Sequence, residues 1–170
     1  MIKIIGIDPG LSSTGVGIVR GRGLKVQEYA FGSINTSKSH ILPERLNHIF
    51  SKLNSLLADE KPDLMVIEDV FSLEKYPKSG INLGKVTGVI LLSACHANIP
   101  VIEVAVREVK HVLTGNGNAS KEQLELTVRR LLSLADRIKP YHASDAIALA
   151  LLGLFRYKNE RMHGKSGSDC

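Results

Sequence analysis

The sequence predicts an α/β fold in which helices flank a mixed five-stranded sheet. Strand-like segments open the chain around a glycine turn, which predicts an antiparallel meander of three strands. Helix and strand patterns then alternate, an order typical of strands that lie parallel in a sheet. Residues 146–155 are apolar without interruption, which predicts a final helix that is buried on every side.

Five segments have the apolar character of strands. DLMVIE is apolar up to its last residue, as expected for a strand of a parallel sheet that is covered on both faces. The first segment of the chain, IKIIGID, also ends in an acid. The other strands are TGVGIV, LKVQEYAFGSI and VIEVA.

The helices are predicted from apolar spacing and from the residues at their ends. Pro43 suits the first turn of a helix, and the apolar residues around it keep helical spacing. Ser120 and Gln123 form a capping pair at the start of another helix. We predict helices at 41–57, 79–98, 106–115 and 120–134, and a last helix that begins near His142.

Length and composition predict one domain. The chain has 170 residues, of which 44% are apolar and 23% charged, as in globular proteins. We assign residues 1–155 to this domain and residues 156–170, which lose apolar periodicity, to a flexible C-terminal tail. The longest apolar run is about half of the roughly 20 residues that a membrane span requires. No signal peptide opens the chain, so we expect a cytoplasmic protein.

The chain is basic, with 22 lysines and arginines against 17 aspartates and glutamates and a pI near 9.3. This balance favours a polyanionic partner, although a basic enzyme without one is an alternative. Cys95 and Cys170 have neither the number nor the spacing of a disulfide framework or a metal site. We therefore expect no role for them.

Acidic residues stand at the ends of three elements that are predicted to be buried. Asp8 and Glu68 each end a strand, and sites in such sheets form outside the carboxyl ends of parallel strands. If these strands are neighbours, the two carboxylates lie roughly 5 Å apart and need a cation or a shared proton. His142 and Asp145, three residues apart on one face of the last helix, would complete the group.

These four side chains have the chemistry of a magnesium site. Mg²⁺ prefers oxygen ligands and is usually held by one or two carboxylates with substrate phosphate. A pair of such ions can activate water and stabilise the leaving oxygen of a phosphodiester. Each acid has a plainer interpretation: Asp145 as a helix cap, Asp8 as a turn residue before Pro9, and Glu68 as a strand end at the surface. Only their combination favours a catalytic site.

Five blocks of the chain, in order and at matching spacing, resemble the bacterial Holliday junction resolvase RuvC family. They are IGIDPGLSSTGVGIV, VIEDVF, NLGKVTGVI, VREVKHVLTGNGNASKEQ and HASDAIALAL. The resemblance covers roughly residues 2–155 and implies a ribonuclease H-like nuclease domain, a homodimer, and paired nicking of four-way DNA junctions. It implies that Asp8, Glu68, His142 and Asp145 are the catalytic residues and hold Mg²⁺, two ions per site.

Family members carry either Asp or His at position 142. Relative to aspartate, histidine removes one negative charge, and imidazole suits manganese better than magnesium. It could also move protons near neutral pH. We therefore expect that Mn²⁺ can substitute for Mg²⁺ and supports cleavage at least as well.

Two segments are candidates for DNA binding. FSLEKYPKSG places Phe71, Lys75, Tyr76 and Lys78 directly after the acidic strand end, where aromatic rings could stack on unpaired bases. Phe71 could instead belong to the core, but the family places a base-contacting aromatic there. The glycine loop LTGNGNASKEQ could hold a phosphate with Lys121, although such loops are commonly plain turns. The resemblance implies DNA contacts for Lys110 and Lys121.

Paired cutting of a four-way junction requires two sites related by a dyad, which a two-fold dimer supplies. Gly84 and Gly88 leave a smooth helix face that could meet a second copy or pack on its own sheet, and the family dimerises through this region. By the same resemblance we expect a branch-migration helicase complex as a partner.

Three further functions fit parts of the pattern. The first block also resembles the phosphate loop of the actin, Hsp70 and sugar-kinase superfamily of phosphotransferases and ATPases. Those proteins are two-lobed and longer, and a second such loop is missing here. A related nuclease of the same fold could act on RNA instead of DNA. A junction-binding module without catalysis would also be basic and would share the candidate DNA contacts.

Overall fold

The computed structural model contains one mixed sheet with the strand order β3-β2-β1-β4-β5. The structure describes residues 1–69 and 77–163, with side chains described from 79 to 157 in the second range. The elements are β1 (Ile2–Asp8), β2 (Ser13–Arg22), β3 (Lys25–Asn35), α1 (Leu42–Glu60), β4 (Leu64–Glu68), α2 (Pro77–His96), β5 (Val101–Val104), α3 (Val106–Thr114), α4 (Lys121–Leu131) and α5 (Tyr141–His163).

The first three strands form the predicted meander, and the rest of the sheet is parallel. β1 pairs with β2, and β2 with β3, in antiparallel register. β1 pairs with β4, and β4 with β5, in parallel register. The predicted mixed five-stranded sheet is therefore confirmed, and β1 and β4 end at the same edge.

The two faces of the sheet pack against different helices, because side chains alternate along each strand. Ile4 and Val66 lie in the apolar cluster that surrounds α5 and includes residues of α3 and α4. Ile5 and Met65, one position along, lie in a second cluster with α1 and α2. Asp8 and Glu68 occupy even positions of these strands, like Ile4 and Val66, and so belong to the α5 face.

Helix α5 lies directly on β1 and β2 because glycines remove the side chains that would keep it away. A Cβ at Gly6 would overlap the backbone of Ala146, and a Cβ at Gly15 would overlap the carbonyl of His142. Gly15 pairs with Asp8 across the two strands. The close approach therefore holds the first turn of α5 next to the end of β1.

The predicted helices are present, with shifts at their ends. Ser120 and Gln123 form the predicted capping box of α4. The prediction placed the end of this helix too late, since α4 ends at Leu131 and Ser133 has a left-handed φ of 55°. Helix α5 continues to His163, so residue 155, the last residue before the predicted tail, does not end regular structure.

In the part of the chain that the structure describes, no helix combines the length and apolarity that crossing a membrane requires.

Candidate active site

Asp8 and Glu68 end the two central strands of the sheet, as the sequence predicts. In the parallel register of β1 and β4, Ile7 lies opposite Ile67, so the two acids are the next residues at the same edge. Asp8 is only 8% exposed. Its carboxylate and that of Glu68 are close enough to interact by a side-chain hydrogen bond. A proton shared between them is one of the two solutions that crowded carboxylates can adopt.

The first turn of α5 brings His142 and Asp145 to the same place. His142 Nδ1 lies 2.6 Å from Asp8 Oδ2. Asp145 is near enough to Asp8 and Glu68 that its charge raises the pKa of both carboxyls. Residues from the start, middle and end of the chain thus meet at one edge of the sheet.

Burial gives the two strand-end acids an unusual affinity for protons. The pKa of Glu68 is raised to about 7, first by burial and then by the charges of Asp8 and Asp145. Burial also raises the pKa of Asp8, against the opposing effect of the hydrogen bond from His142. The positive charges at this edge therefore do not balance its carboxylates, and a cation that binds there would be stabilised.

Two lysines stand beside these acids. Lys121 Nζ lies 3.4 Å from Asp145 Oδ2, and the lysine side chain is 71% exposed. Lys110 and Lys121 line a cavity of about 290 Å³ together with Glu68 and Asp145. The structure therefore brings both predicted DNA-contacting lysines to the acidic cluster.

The donor set is suited to a divalent cation. Asp8, Glu68 and Asp145 supply carboxylate oxygens, and His142 supplies an imidazole nitrogen, which together suit Mg²⁺ or Mn²⁺. Across residues 1–69 and 77–163, however, no three such side chains are already arranged around one metal position. Asp8 is hydrogen-bonded to His142, and Asp145 is paired with Lys121, so metal binding at Asp145 requires Lys121 to leave.

Several predicted DNA-binding residues lie outside the described part of the chain. Phe71, Lys75 and Tyr76 fall between residues 69 and 77, and the side chain of Lys78 is outside the described side chains. Their assignment to DNA binding stays a prediction.

The structure also reveals a basic groove that the sequence analysis did not identify. A second cavity, of about 310 Å³, shares Lys121 and Asp145 with the first one. Its lining combines Tyr141 with four cations and three acids, namely Lys121, Arg129, Arg137, Lys139, Glu122, Glu125 and Asp145. The run DRIKPYH directly before the last helix was the available signal, since it places two cations and an aromatic residue beside His142.

The sheet order and its helices place the chain among the ribonuclease H-like nucleases. A family described as crossover junction endodeoxyribonuclease RuvC matches residues 4–152. The chain belongs to this RuvC family. Two relatives of that name, from Carboxydothermus hydrogenoformans and Syntrophomonas wolfei, are 39% and 36% identical to it. The matches cover 91% of this chain and 97% of the first relative, and 92% of this chain and 91% of the second.

A solved structure of T. thermophilus RuvC in complex with Holliday junction substrate has the same fold, with a TM-score of 0.88. Its sequence is 30% identical, and the match covers 94% of this chain and 97% of that one. The predicted ribonuclease H-like fold and the predicted family are confirmed. This family membership also counts against a kinase-like function.

Proposed function

We propose that this protein is a structure-selective endodeoxyribonuclease that resolves four-way (Holliday) DNA junctions in recombination and repair. The observation that carries this proposal is the convergence of Asp8, Glu68, His142 and Asp145 at one sheet edge, beside two lysines, in a chain of the RuvC family. The similar T. thermophilus protein was solved with a Holliday junction substrate, which supports junction DNA as the substrate here.

The acids hold divalent metal in this proposal, with two Mg²⁺ ions per site. Such ions activate a water molecule for attack on the phosphodiester and stabilise the leaving oxygen. Asp8 is the most central acid, because it neighbours Glu68 on one side and His142 on the other. Asp8, Glu68, His142 and Asp145 would together hold these ions, with Asp8 as the ligand that they share. Burial and the charges of Asp8 and Asp145 raise the pKa of Glu68, and a bound cation would stabilise its ionised form, which fits this role.

His142 contributes through both of its ring nitrogens. With Asp8 ionised and the imidazole in its neutral form, Nδ1–H donates the 2.6 Å hydrogen bond to the carboxylate and Nε2 is the free acceptor nitrogen. Nε2 could then bind metal or accept a proton, while Nδ1 orients Asp8. Histidine ligands commonly use a carboxylate in this way to fix the ring. An imidazole ligand also favours Mn²⁺ as a substitute for Mg²⁺.

Lys110 and Lys121 hold the phosphate that is cut. Both line the cavity of Glu68 and Asp145, and the exposed Lys121 can leave Asp145 for a phosphate oxygen. If about six to ten phosphates are neutralised in all, a plot of log affinity against log salt concentration should have a slope of about −5 to −9.

The exposed face of α2 supports a homodimer. A Cβ at Gly84 or Gly88 would meet no described atom within 4 Å, so this face does not pack on the chain's own sheet. Ile81 and Leu92, on either side of the glycines, are 60% and 48% exposed. Apolar side chains around small residues suit close contact with a second copy across a two-fold axis, which would supply the second cutting site.

The test of this function is incubation of the protein with a synthetic mobile four-way junction, with Mg²⁺ or with EDTA. We expect symmetric nicks on opposing strands only when Mg²⁺ is present. Binding without nicks in Mg²⁺ would instead identify a junction-binding module, and preferred cutting of structured RNA would identify an RNA-directed nuclease. A branch-migration helicase partner and a cytoplasmic location stay predictions.

A further inference from the structure

The groove between α4 and the start of α5 opens next to the catalytic cluster. Its cavity of about 310 Å³ is at the lower end of the size of small-ligand sites, comparable to one nucleotide. It shares Lys121 and Asp145 with the cavity that contains Glu68. A DNA strand with its reacting phosphate at the acids therefore has an adjoining space for the neighbouring nucleotide.

The floor of this groove is held in place by polar contacts that are partly shielded from solvent. Glu125, whose side chain is 12% exposed, accepts a hydrogen bond from Ile138 N–H at 3.1 Å and pairs with Arg129 at 3.4 Å. Arg129 also donates to the carbonyl oxygen of Ala135 at 3.0 Å. The segment before α5 is thus tied to α4, and its side chains are presented from a fixed backbone.

Two cations of the groove remain available for a ligand. Arg137 and Lys139 are exposed. Neither forms an ion pair with a carboxylate among the residues that the structure describes, unlike Lys121 and Arg129. The pKa of Glu122 is lowered mainly by its hydrogen bond with Ser120, and the charge of nearby Arg137 adds a smaller effect. Both cations can therefore bind phosphate without first breaking an ion pair.

Tyr141 supplies the apolar surface of the groove. It is the first residue of α5, directly before His142, and it is 67% exposed. An exposed aromatic ring that lines the same groove as two exposed cations, next to His142 in sequence, has the composition of a single-strand binding surface, where bases stack and the backbone follows positive charge.

We propose that this groove is a nucleotide subsite, in which Tyr141 stacks on the base next to the scissile phosphate while Arg137 and Lys139 bind the flanking backbone. The subsite rests on the proposed function, because its ligand is the junction strand that the acids cut. Tyr141 is a substrate-contacting residue that helps to select an unpaired base at the cutting point.

The stacking is tested with 2-aminopurine placed on either side of the mapped nick, in a junction bound in EDTA. We expect the wild-type protein to quench one of the two positions. Tyr141→Ala should abolish that quench and weaken junction binding about 5- to 160-fold, whereas Tyr141→Phe should retain both, since one stacked base contributes about 1 to 3 kcal/mol. A quench that persists in Tyr141→Ala would overturn the proposal.

The backbone contacts are tested by salt dependence. Replacing Arg137 and Lys139 together by Gln should make the slope of log affinity against log salt shallower by about 1.4 to 1.8, because two charges leave the interface. The matched control replaces Arg22 and Lys25, an exposed pair on β2 and β3 at the opposite end of the sheet. An equal change of slope in both double variants would contradict a defined subsite.

Failure of the subsite is distinguishable from failure of the function. A wild-type protein that neither binds nor nicks the junction would refute the proposed function. A wild-type protein that nicks symmetrically but quenches neither labelled base would refute the subsite alone.

Discussion

The two faces of the central sheet are made from the same strands but differ in polarity where the strands end. On the α1/α2 face, β1 and β4 present Ile5, Ile7, Met65 and Ile67, all fully buried. On the α5 face, the same strands combine apolar residues with a glycine in β1 and end in acids. Both faces therefore bury an apolar cluster, but only the α5 face also gives up side-chain volume to bring a helix and its polar first turn against the strand ends.

The largest effect is expected when the charge of Asp8, at the strand ends of the α5 face, is removed. Asp8→Asn should lower cleavage by about three orders of magnitude or more, because it weakens metal binding that stabilises the transition state. Junction affinity should stay nearly unchanged, since Lys110 and Lys121 remain. Nick assays and binding in EDTA measure the two quantities. Asp59→Asn, an exposed change on α1, is the control, and residual nicking near the wild-type rate would refute the assignment.

Filling the glycine contact should damage both stability and activity. Gly15→Ala places a methyl group against the carbonyl of His142, so α5 must shift, at a cost of about 1 to 3 kcal/mol in the free energy of unfolding. Cleavage should fall with it, because His142 moves away from Asp8.

Two comparisons sharpen this prediction. Gly32→Ala on β3 meets nothing within 4 Å and should be tolerated. Ile7→Val on the opposite face should cost about 0.5 to 1.5 kcal/mol of stability and leave the specific activity of the folded protein intact. Equal loss of specific activity in Gly15→Ala and Ile7→Val would mean that the two faces are not functionally distinct.

The pH dependence of stability should also come from the α5 face. The raised pKa of Glu68 means that the native state binds a proton more tightly than the unfolded chain does between pH 4.5 and about 7. The free energy of unfolding without metal should therefore fall as pH rises through this range, by on the order of 1 to 3 kcal/mol. Glu68→Gln should remove this loss.

Urea denaturation in EDTA measures the effect when it is done at about pH 5, near the lower end of this range, and at about pH 8, above it. The Gln variant should exceed the wild type in stability at the higher pH, with a smaller difference at the lower one. Added Mg²⁺ should stabilise the wild type more than the variant, because a ligand of the native state shifts unfolding. A variant that is less stable than the wild type at both pH values would contradict the raised pKa.

The smallest effect is expected at an exposed ion pair far from this edge. Arg20 and Glu28 are 3.2 Å apart on β2 and β3, with side chains 41% and 66% exposed. Glu28→Gln should change the free energy of unfolding by less than about 0.5 kcal/mol and leave cleavage unaffected. Thermal denaturation in low and high salt is the measurement, and a loss above about 1 kcal/mol would show that charge matters at both ends of the sheet.

Much of this architecture could be predicted because local patterns agreed with the final fold. The acids at the ends of apolar strands, the capping box at Ser120 and the all-apolar last helix each depend on neighbours in sequence. Asp8 and Glu68 could be placed together because parallel strands end at a common edge. The end of α4 was harder to place, since the left-handed Ser133 has no distinctive sequence pattern.

Local sequence patterns define the order of the elements, the alternation that separates the two faces, and the residue types that can hold a metal. The hydrogen bond of His142 to Asp8, the pairing of Lys121 with Asp145 and the place of Tyr141 in the groove instead arise only in the folded chain. The physical reason is that alternation and helical period act over a few residues. These contacts instead join positions far apart in the chain, through a helix whose approach depends on the space left by Gly6 and Gly15.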